Sequence, residues 1–267
     1  MKDLRVGLIG HGAVGRRVAE LVADGAAGDA RIVGVLVRGE RSEAPSPGET
    51  APFVRTAAEM IALSPAVVVE AAGHEAVRTY VPEILEAGIE VLAISVGVFA
   101  DDATLESVRL AAERGGTRLR VPSGAIAALD AVSAAAVGRV ERAVHTVRKP
   151  PASLMPPDEA AAVIASGLEH ELFFGPAREA ALLFPANVIV VAAVSLAGIG
   201  LDRTHARVIA DPRVVRNTHE VELEGEFGRL SVKIENTPSE NPKTGRIVAM
   251  SIVRALRAYG EPVVVGG

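Results

Sequence analysis

Two sets of residues in this 267-residue chain have types and spacing suited to chemistry: a glycine run near residue 10 and six histidines. Gly10-His11-Gly12-Ala13-Val14-Gly15 fits G-x-G-x-x-G. The pattern follows an apolar strand, Val6-Gly7-Leu8-Ile9, and opens a helix over Ala13 to Ala23. That context points to a dinucleotide. Gly10 would permit the tight turn, Gly12 the backbone approach to a pyrophosphate, and Gly15 close packing of helix on strand. The helix N-terminus would offer free N–H groups to the phosphates. Gly10 through Gly15 are therefore the expected cofactor-binding loop.

The end of the second strand ordinarily sorts NAD from NADP through an acid on the ribose 2′-OH. Here the segment is Val37-Arg38-Gly39-Glu40-Arg41, with arginines where the acid would stand. A guanidinium suits a 2′-phosphate and can also stack on adenine. Arg38 is the candidate, and Arg38 and Arg41 as plain solvated charges are the alternative. Glu40 could still reach a ribose, so both NAD and NADP stay open. Gly73 and Gly97 follow later strands and would line the same crevice, with His74 and Ser95 beside them. His74 would equally serve as the cap of the helix that Glu75 begins.

The histidines are His11, His74, His145, His170, His205 and His219. Imidazole titrates near neutrality, as a group that holds or moves a proton at an amine must. Residue type alone does not choose among six. None shows metal-ligand spacing such as H-E-x-x-H, and the chain has no cysteine, so no metal, disulfide or thiol chemistry is expected.

The elements that must position these groups alternate. Strands are predicted at Val6–Ile9, Arg31–Val37, Ala66–Ala72, Val91–Ser95 and Arg118–Val121. Helices are predicted at Ala13–Ala23, Thr56–Ser64, Val77–Ala87 and Asp102–Arg114, with a loop from Glu40 to Pro52. This β-α order implies an open, doubly wound parallel sheet over residues 1–122. After Pro122 the pattern changes. Helices are predicted at Ala125–Gly138, Asp158–Ser166, Ala177–Phe184, Asn187–Leu201 and Thr244–Tyr259. Strands are predicted at Val140–Arg148, Ala206–Ala210, Val214–Leu223, Gly228–Ile234 and, at the end, Val263–Val265. The expected second domain, residues 123–267, is α+β with a mostly antiparallel sheet, and its last segment could return to the first domain.

Net charge is −5 and no basic block is present, so nucleic acid is not an expected partner. The longest apolar run, Val188 to Leu201, is shorter than the roughly 20 residues of a membrane span. Met1 leads straight into the first strand, leaving no room for a secretory signal. A cytoplasmic protein is expected.

A set of ordered fragments resembles the L-aspartate dehydrogenase family. They are Glu70-Ala71-Ala72-Gly73-His74-Glu75, Pro122-Ser123-Gly124-Ala125-Ile126, Arg148-Lys149-Pro150-Pro151, Gly175-Pro176-Ala177-Arg178, Phe184-Pro185-Ala186-Asn187, Leu196-Ala197-Gly198-Ile199-Gly200-Leu201-Asp202, Asn217-Thr218-His219-Glu220 and Asn241-Pro242-Lys243-Thr244-Gly245. The resemblance implies a homodimeric NAD(P) enzyme that oxidises L-aspartate to iminoaspartate. Water would turn that product into oxaloacetate and ammonia, and iminoaspartate would feed NAD biosynthesis. It implies that His219 is catalytic and that Ala125 and Asn187 contact the cofactor. Taken alone, Asn187 is either a nicotinamide partner or a helix cap, and a lone strand histidine such as His219 is usually structural. Two substrate carboxylates need cations or N–H donors. Lys149, Arg178, Asn217 and Lys243 lie in family-like segments and are the candidates, with Glu220 and Asp202 as groups that could tune His219. The chain departs from the family at Val188-Ile189-Val190, where a polar residue is frequent. A homoserine dehydrogenase or dihydrodipicolinate reductase type, or a non-catalytic redox sensor, would share the glycine loop.

Overall fold

A computed structural model of the chain describes residues 3–39, 51–184, 189–240 and 244–265. Its contacts divide into two compact units, Met1–Gly124 with Val248–Gly267, and Ala125–Ile247.

The first unit is built on six parallel strands: β1 (Leu4–Ile9), β2 (Ala30–Leu36), β3 (Phe53–Val54), β4 (Val67–Glu70), β5 (Glu90–Ala93) and β6 (Leu119–Arg120). Their spatial order is β3-β2-β1-β4-β5-β6, the doubly wound arrangement. β1 and β4 are buried along most of their length because helices cover both faces. The helices are α1 (Ala13–Ala23), α2 (Ala57–Ala62), α3 (His74–Glu86) and α4 (Asp102–Gly115). Strand order reverses between β1 and β4, so the turns after these two strands open on the same edge.

One helix of this unit comes from the far end of the chain. α9 (Ile247–Arg257) places Ala249, Ile252, Val253 and Leu256 in one cluster with Val6, Leu8, Val18, Val35, Val67 and Leu92. The Ser251 hydroxyl accepts a hydrogen bond from Gly124 N–H at 3.0 Å.

The second unit holds a five-stranded sheet in the order β11-β10-β7-β9-β8. These are β7 (Val140–Lys149), β8 (His170–Pro176), β9 (His205–Ala210), β10 (Asn217–Gly225) and β11 (Gly228–Asn236). All neighbours are antiparallel except β7 and β9. α5 (Leu129–Ala135) and α8 (Ile189–Ala197) pack on the face that carries Ala143, Val221 and Leu223. α6 (Pro157–Ser166) and α7 (Ala177–Leu183) complete the unit.

Several sequence-based expectations are corrected. The helix expected from Ala125 starts at Leu129, because Ala128 sits in the left-handed region (φ 63°) and caps it. No strand forms over Val263–Val265. β8 was not foreseen. It runs into Gly175-Pro176, reads Leu172-Phe173-Phe174 without alternation, and carries a bulge between Glu171 and Phe173. It is an edge strand, where a proline and a bulge are tolerated.

Candidate active site

The glycine loop joins β1 to α1 at the edge where strand order reverses. Gly10 has φ 95°, and a Cβ there would lie 2.7 Å from Ala72 Cβ and 2.8 Å from the Ala71 carbonyl oxygen. A Cβ on Gly15 would lie 2.2 Å from the Gly10 carbonyl oxygen. Both positions are therefore closed to larger residues. At Gly12, the N-cap of α1, nothing lies within 4 Å of where a Cβ would be. The loop thus leaves open space beside a helix N-terminus, which suits a pyrophosphate. His11 is buried and meets the Phe53 ring edge-on at 5.4 Å.

Glu70 organises the neighbouring turn. It ends β4, is fully buried, and lies beside Ile9 in the register. Its carboxylate accepts from Ala72 N–H (2.8 Å), Gly73 N–H (2.9 Å), Ser95 N–H (3.1 Å) and the Ser95 hydroxyl (2.8 Å). Burial pushes its pKa up, and the four donors pull against that rise. One side chain therefore fixes the turns after β4 and β5. The Ser95 hydroxyl is committed to Glu70. Gly73 caps α3, and His74 is its first residue. Partial burial and the Arg78 charge hold the His74 pKa below the usual imidazole value.

The second unit places three titratable groups on the helix-covered face of the sheet. His219 on β10 pairs with Val147 on β7, and His145 and Lys149 stand two residues to either side of Val147. Period-two alternation puts all of them on one face. His145, Lys149 and His219 are all buried. His145 Nε2 lies 3.2 Å from His219 Nδ1. The His219 pKa is pushed down to about 3, by burial first and by the Lys149 charge second. His145 is held well below the usual value by burial and then by His219. Both rings are neutral at pH 7.

Comparison with known proteins gives this arrangement its relatives. Residues 130–259 match the family model "Aspartate dehydrogenase, C-terminal", and residues 10–122 match "Homoserine dehydrogenase, NAD binding domain". L-aspartate dehydrogenase of Methanosarcina mazei is 39% identical, covering 98% of this chain and 99% of that protein. The Methanosarcina barkeri enzyme is 46% identical over 74% of this chain and 75% of its own length. The crystal structure of aspartate dehydrogenase from Thermotoga maritima superposes with a TM-score of 0.77 at 25% identity, covering 99% of this chain and all of that one.

The chain belongs to the L-aspartate dehydrogenase family.

Within this aspartate dehydrogenase family member, the structure distributes the remaining candidate residues as follows. Arg38 is exposed just beyond β2. Ala125 lends its carbonyl oxygen to Asn236 Nδ2 at 2.8 Å. Asn217 opens β10 opposite Asn236, on the face of His219. Arg178, at the start of α7, makes a two-bond fork to Asp202 at 2.6 and 2.9 Å. Asp202 is thereby committed to Arg178 rather than tuning His219. Glu220 does not tune it either: adjacent strand residues face opposite sides, and Glu220 pairs with Arg148 at 3.4 Å. Asn187 and Lys243 lie outside the described residues, as do Glu40 and Arg41.

Three residues of this dehydrogenase were given no role of their own in the sequence reading. Glu70 hid in an apolar strand, although a lone acid at the end of Val67-Val68-Val69 was a signal of a buried carboxylate with a task. His145 needed only the alternation of β7 to place it on the face of Lys149. Asn236 is buried at the end of β11, and a Cβ on Gly245 would lie 3.0 Å from its Oδ1. No local pattern announced that contact.

Proposed function

We propose that the protein is an NAD(P)-dependent L-aspartate dehydrogenase, with His219 at the reacting carbon. L-Aspartate and NAD(P)+ give iminoaspartate, NAD(P)H and a proton, and water then converts iminoaspartate to oxaloacetate and ammonia. The observation that carries the reading is the pairing of a buried imidazole with a buried lysine in the unit that matches the aspartate dehydrogenase model.

A bound dinucleotide would supply the acceptor for the hydride that leaves the aspartate Cα. The glycine loop and the N-terminus of α1 would hold its phosphates, and Arg38 would meet a 2′-phosphate or a ribose. Lys149 supplies positive charge for a substrate carboxylate. Asn217 adds an amide on the same face, and Arg178 is a second cation of the unit. Ala125 would meet the cofactor through its backbone, with Asn187 and Lys243 completing the set. His219 is neutral at pH 7 and resists a second proton, because both burial and Lys149 oppose the charge. Its part is therefore to orient the amine, and later the attacking water, by hydrogen bonding.

We place the enzyme in the cytoplasm, as a homodimer, with its imine supplying pyridine nucleotide synthesis. A cysteine-free chain suits a reducing compartment. Exposed Leu168, Leu182 and Leu183 offer apolar surface to a second copy. Among the described residues no helix is long and apolar enough to cross a membrane.

Absorbance at 340 nm with L-aspartate and each cofactor tests the reading. His219→Ala should lower kcat/KM by about 100-fold or more. An unchanged value removes His219 from the chemistry. Absence of aspartate-dependent reduction with either cofactor rejects the substrate.

A further inference from the structure

His145 is a fully buried titratable group of the second unit that the mechanism above leaves unused, and its surroundings are unusual. Its ring is fully buried. Nε2 meets His219 Nδ1 at 3.2 Å, and among the described residues Nδ1 meets no hydrogen-bonding partner. One ring must donate and the other accept, which leaves two arrangements for a pair of neutral imidazoles. If His219 donates from Nδ1, His145 must carry its proton on Nδ1, and a buried N–H donor is orphaned. If His145 donates from Nε2, its Nδ1 is a bare lone pair, and no donor is wasted. Orphaned buried N–H groups are the rarer and costlier defect.

We infer that His145 is a positioning residue: it donates from Nε2 to His219 Nδ1 and so fixes the His219 proton on Nε2, making His219 a hydrogen-bond donor toward the substrate. The partner of one ring nitrogen decides what the other can do. The pairing also defines which substrate atoms His219 can serve. A neutral ring with Nε2–H presents a donor to a lone pair or a negative oxygen, such as an aspartate carboxylate, the free amine nitrogen poised to form C=N, or the oxygen developing as water adds to the imine. It presents no acceptor there. Lys149, on the other side of Val147, adds a positive charge that discourages a second proton on His219. The resting ring is thus a neutral donor. The inference rests on the reading of His219 as the residue at the reacting carbon, but its test does not.

The test is the ring-nitrogen NMR spectrum of the full-length protein carrying ¹⁵N-labelled histidine, assigned with His145→Leu, His145→Gln and His219→Ala variants. In the wild type both rings should show a protonated Nε2 and a bare Nδ1. In His145→Leu the His219 signals should lose that single-tautomer pattern. In His145→Gln, whose amide can donate to the same nitrogen, the pattern should return. Turnover should follow: kcat falls roughly 10- to 100-fold in the leucine variant, with the loss seen when a metal-ligating histidine loses its orienting partner as the scale. KM for the dinucleotide should hold, and glutamine should recover part of kcat. A wild-type His219 protonated on Nδ1 overturns the inference, as does an unchanged His219 tautomer in His145→Leu. The spectrum needs no turnover, so failure of the tautomer assignment is distinct from failure of aspartate oxidation or of His219→Ala to lose activity.

Discussion

Glu70 in the first unit and His145 in the second are both completely buried polar side chains carried by a sheet strand. Glu70 meets four donors, three of them backbone N–H groups, while His145 meets one partner and leaves a nitrogen bare. The difference follows from what each holds. Glu70 ties together turns whose backbone groups would otherwise lack partners, so its role is architectural and its network is complete. The imidazole pair ties one side chain to another across β7 and β10. Incomplete bonding costs less when both members are neutral, and it leaves one nitrogen of His219 available for chemistry. A satisfied network marks a part that must not move, whereas an unsatisfied one marks a part with a choice of protonation to be set.

The contrast can be broken by substitution. Glu70→Leu should have the largest effect, because it orphans three backbone N–H groups and a hydroxyl. A loss of about 4 kcal/mol is expected in urea unfolding followed by circular dichroism. A loss under about 1 kcal/mol would show that the turns hold themselves. Acid comes next. The folded-state pKa values of His145 and His219 lie below the ordinary imidazole value. Their stabilisation is therefore complete above about pH 6.5 and drains as pH falls below it, for His219 until about pH 3, at about 1.4 kcal/mol per pH unit for one ring. Glu70 acts in the opposite sense, since its raised pKa favours the folded form at low pH and that contribution is lost as pH rises through the raised value. Urea midpoints at pH 7, 6 and 5 should fall steeply in the wild type and less so in a His145→Leu/His219→Leu double variant. Equal slopes would sink the account of the pair.

Arg38→Ala tests the rim of the first region. The KM for NADP should rise roughly tenfold, as expected for the loss of one charge-assisted bond, with little change for NAD. Equal effects on both cofactors would make Arg38 an ordinary solvated charge. The smallest effect is expected for the His145→Leu/His219→Leu double variant at pH 7. Replacing both partners by apolar groups should leave stability within about 1 kcal/mol of wild type while abolishing activity.

Much of the fold was legible because burial and period coincide. β1, α1 and the glycine loop announce one another, and the apolar run of β4 can only be a covered strand. β8 was not legible, since it is held by its neighbour β9 rather than by its own alternation. The site was legible where a local motif carries the chemistry, as at Gly10 to Gly15. His219 was singled out by its fragment, Asn217-Thr218-His219-Glu220. Its relation to His145 lies 74 residues away in sequence and depends on the register of two strands. No window short enough to read by eye contains both. Glu220 misled for the same reason: nearness in sequence along a strand means opposite faces.

The contribution of α9 to the first unit has a consequence for how the protein is made. Residues beyond 247 complete a hydrophobic layer that begins with Val6 and Leu8, so the second unit is an insertion within the first. On the ribosome, the early strands would wait until residues beyond 247 are translated before their cover arrives. The inserted unit, contiguous in the chain, is free to form first. A nascent polypeptide stalled near residue 247 would expose the surface meant for Ile252 and Leu256, which is a natural target for chaperones.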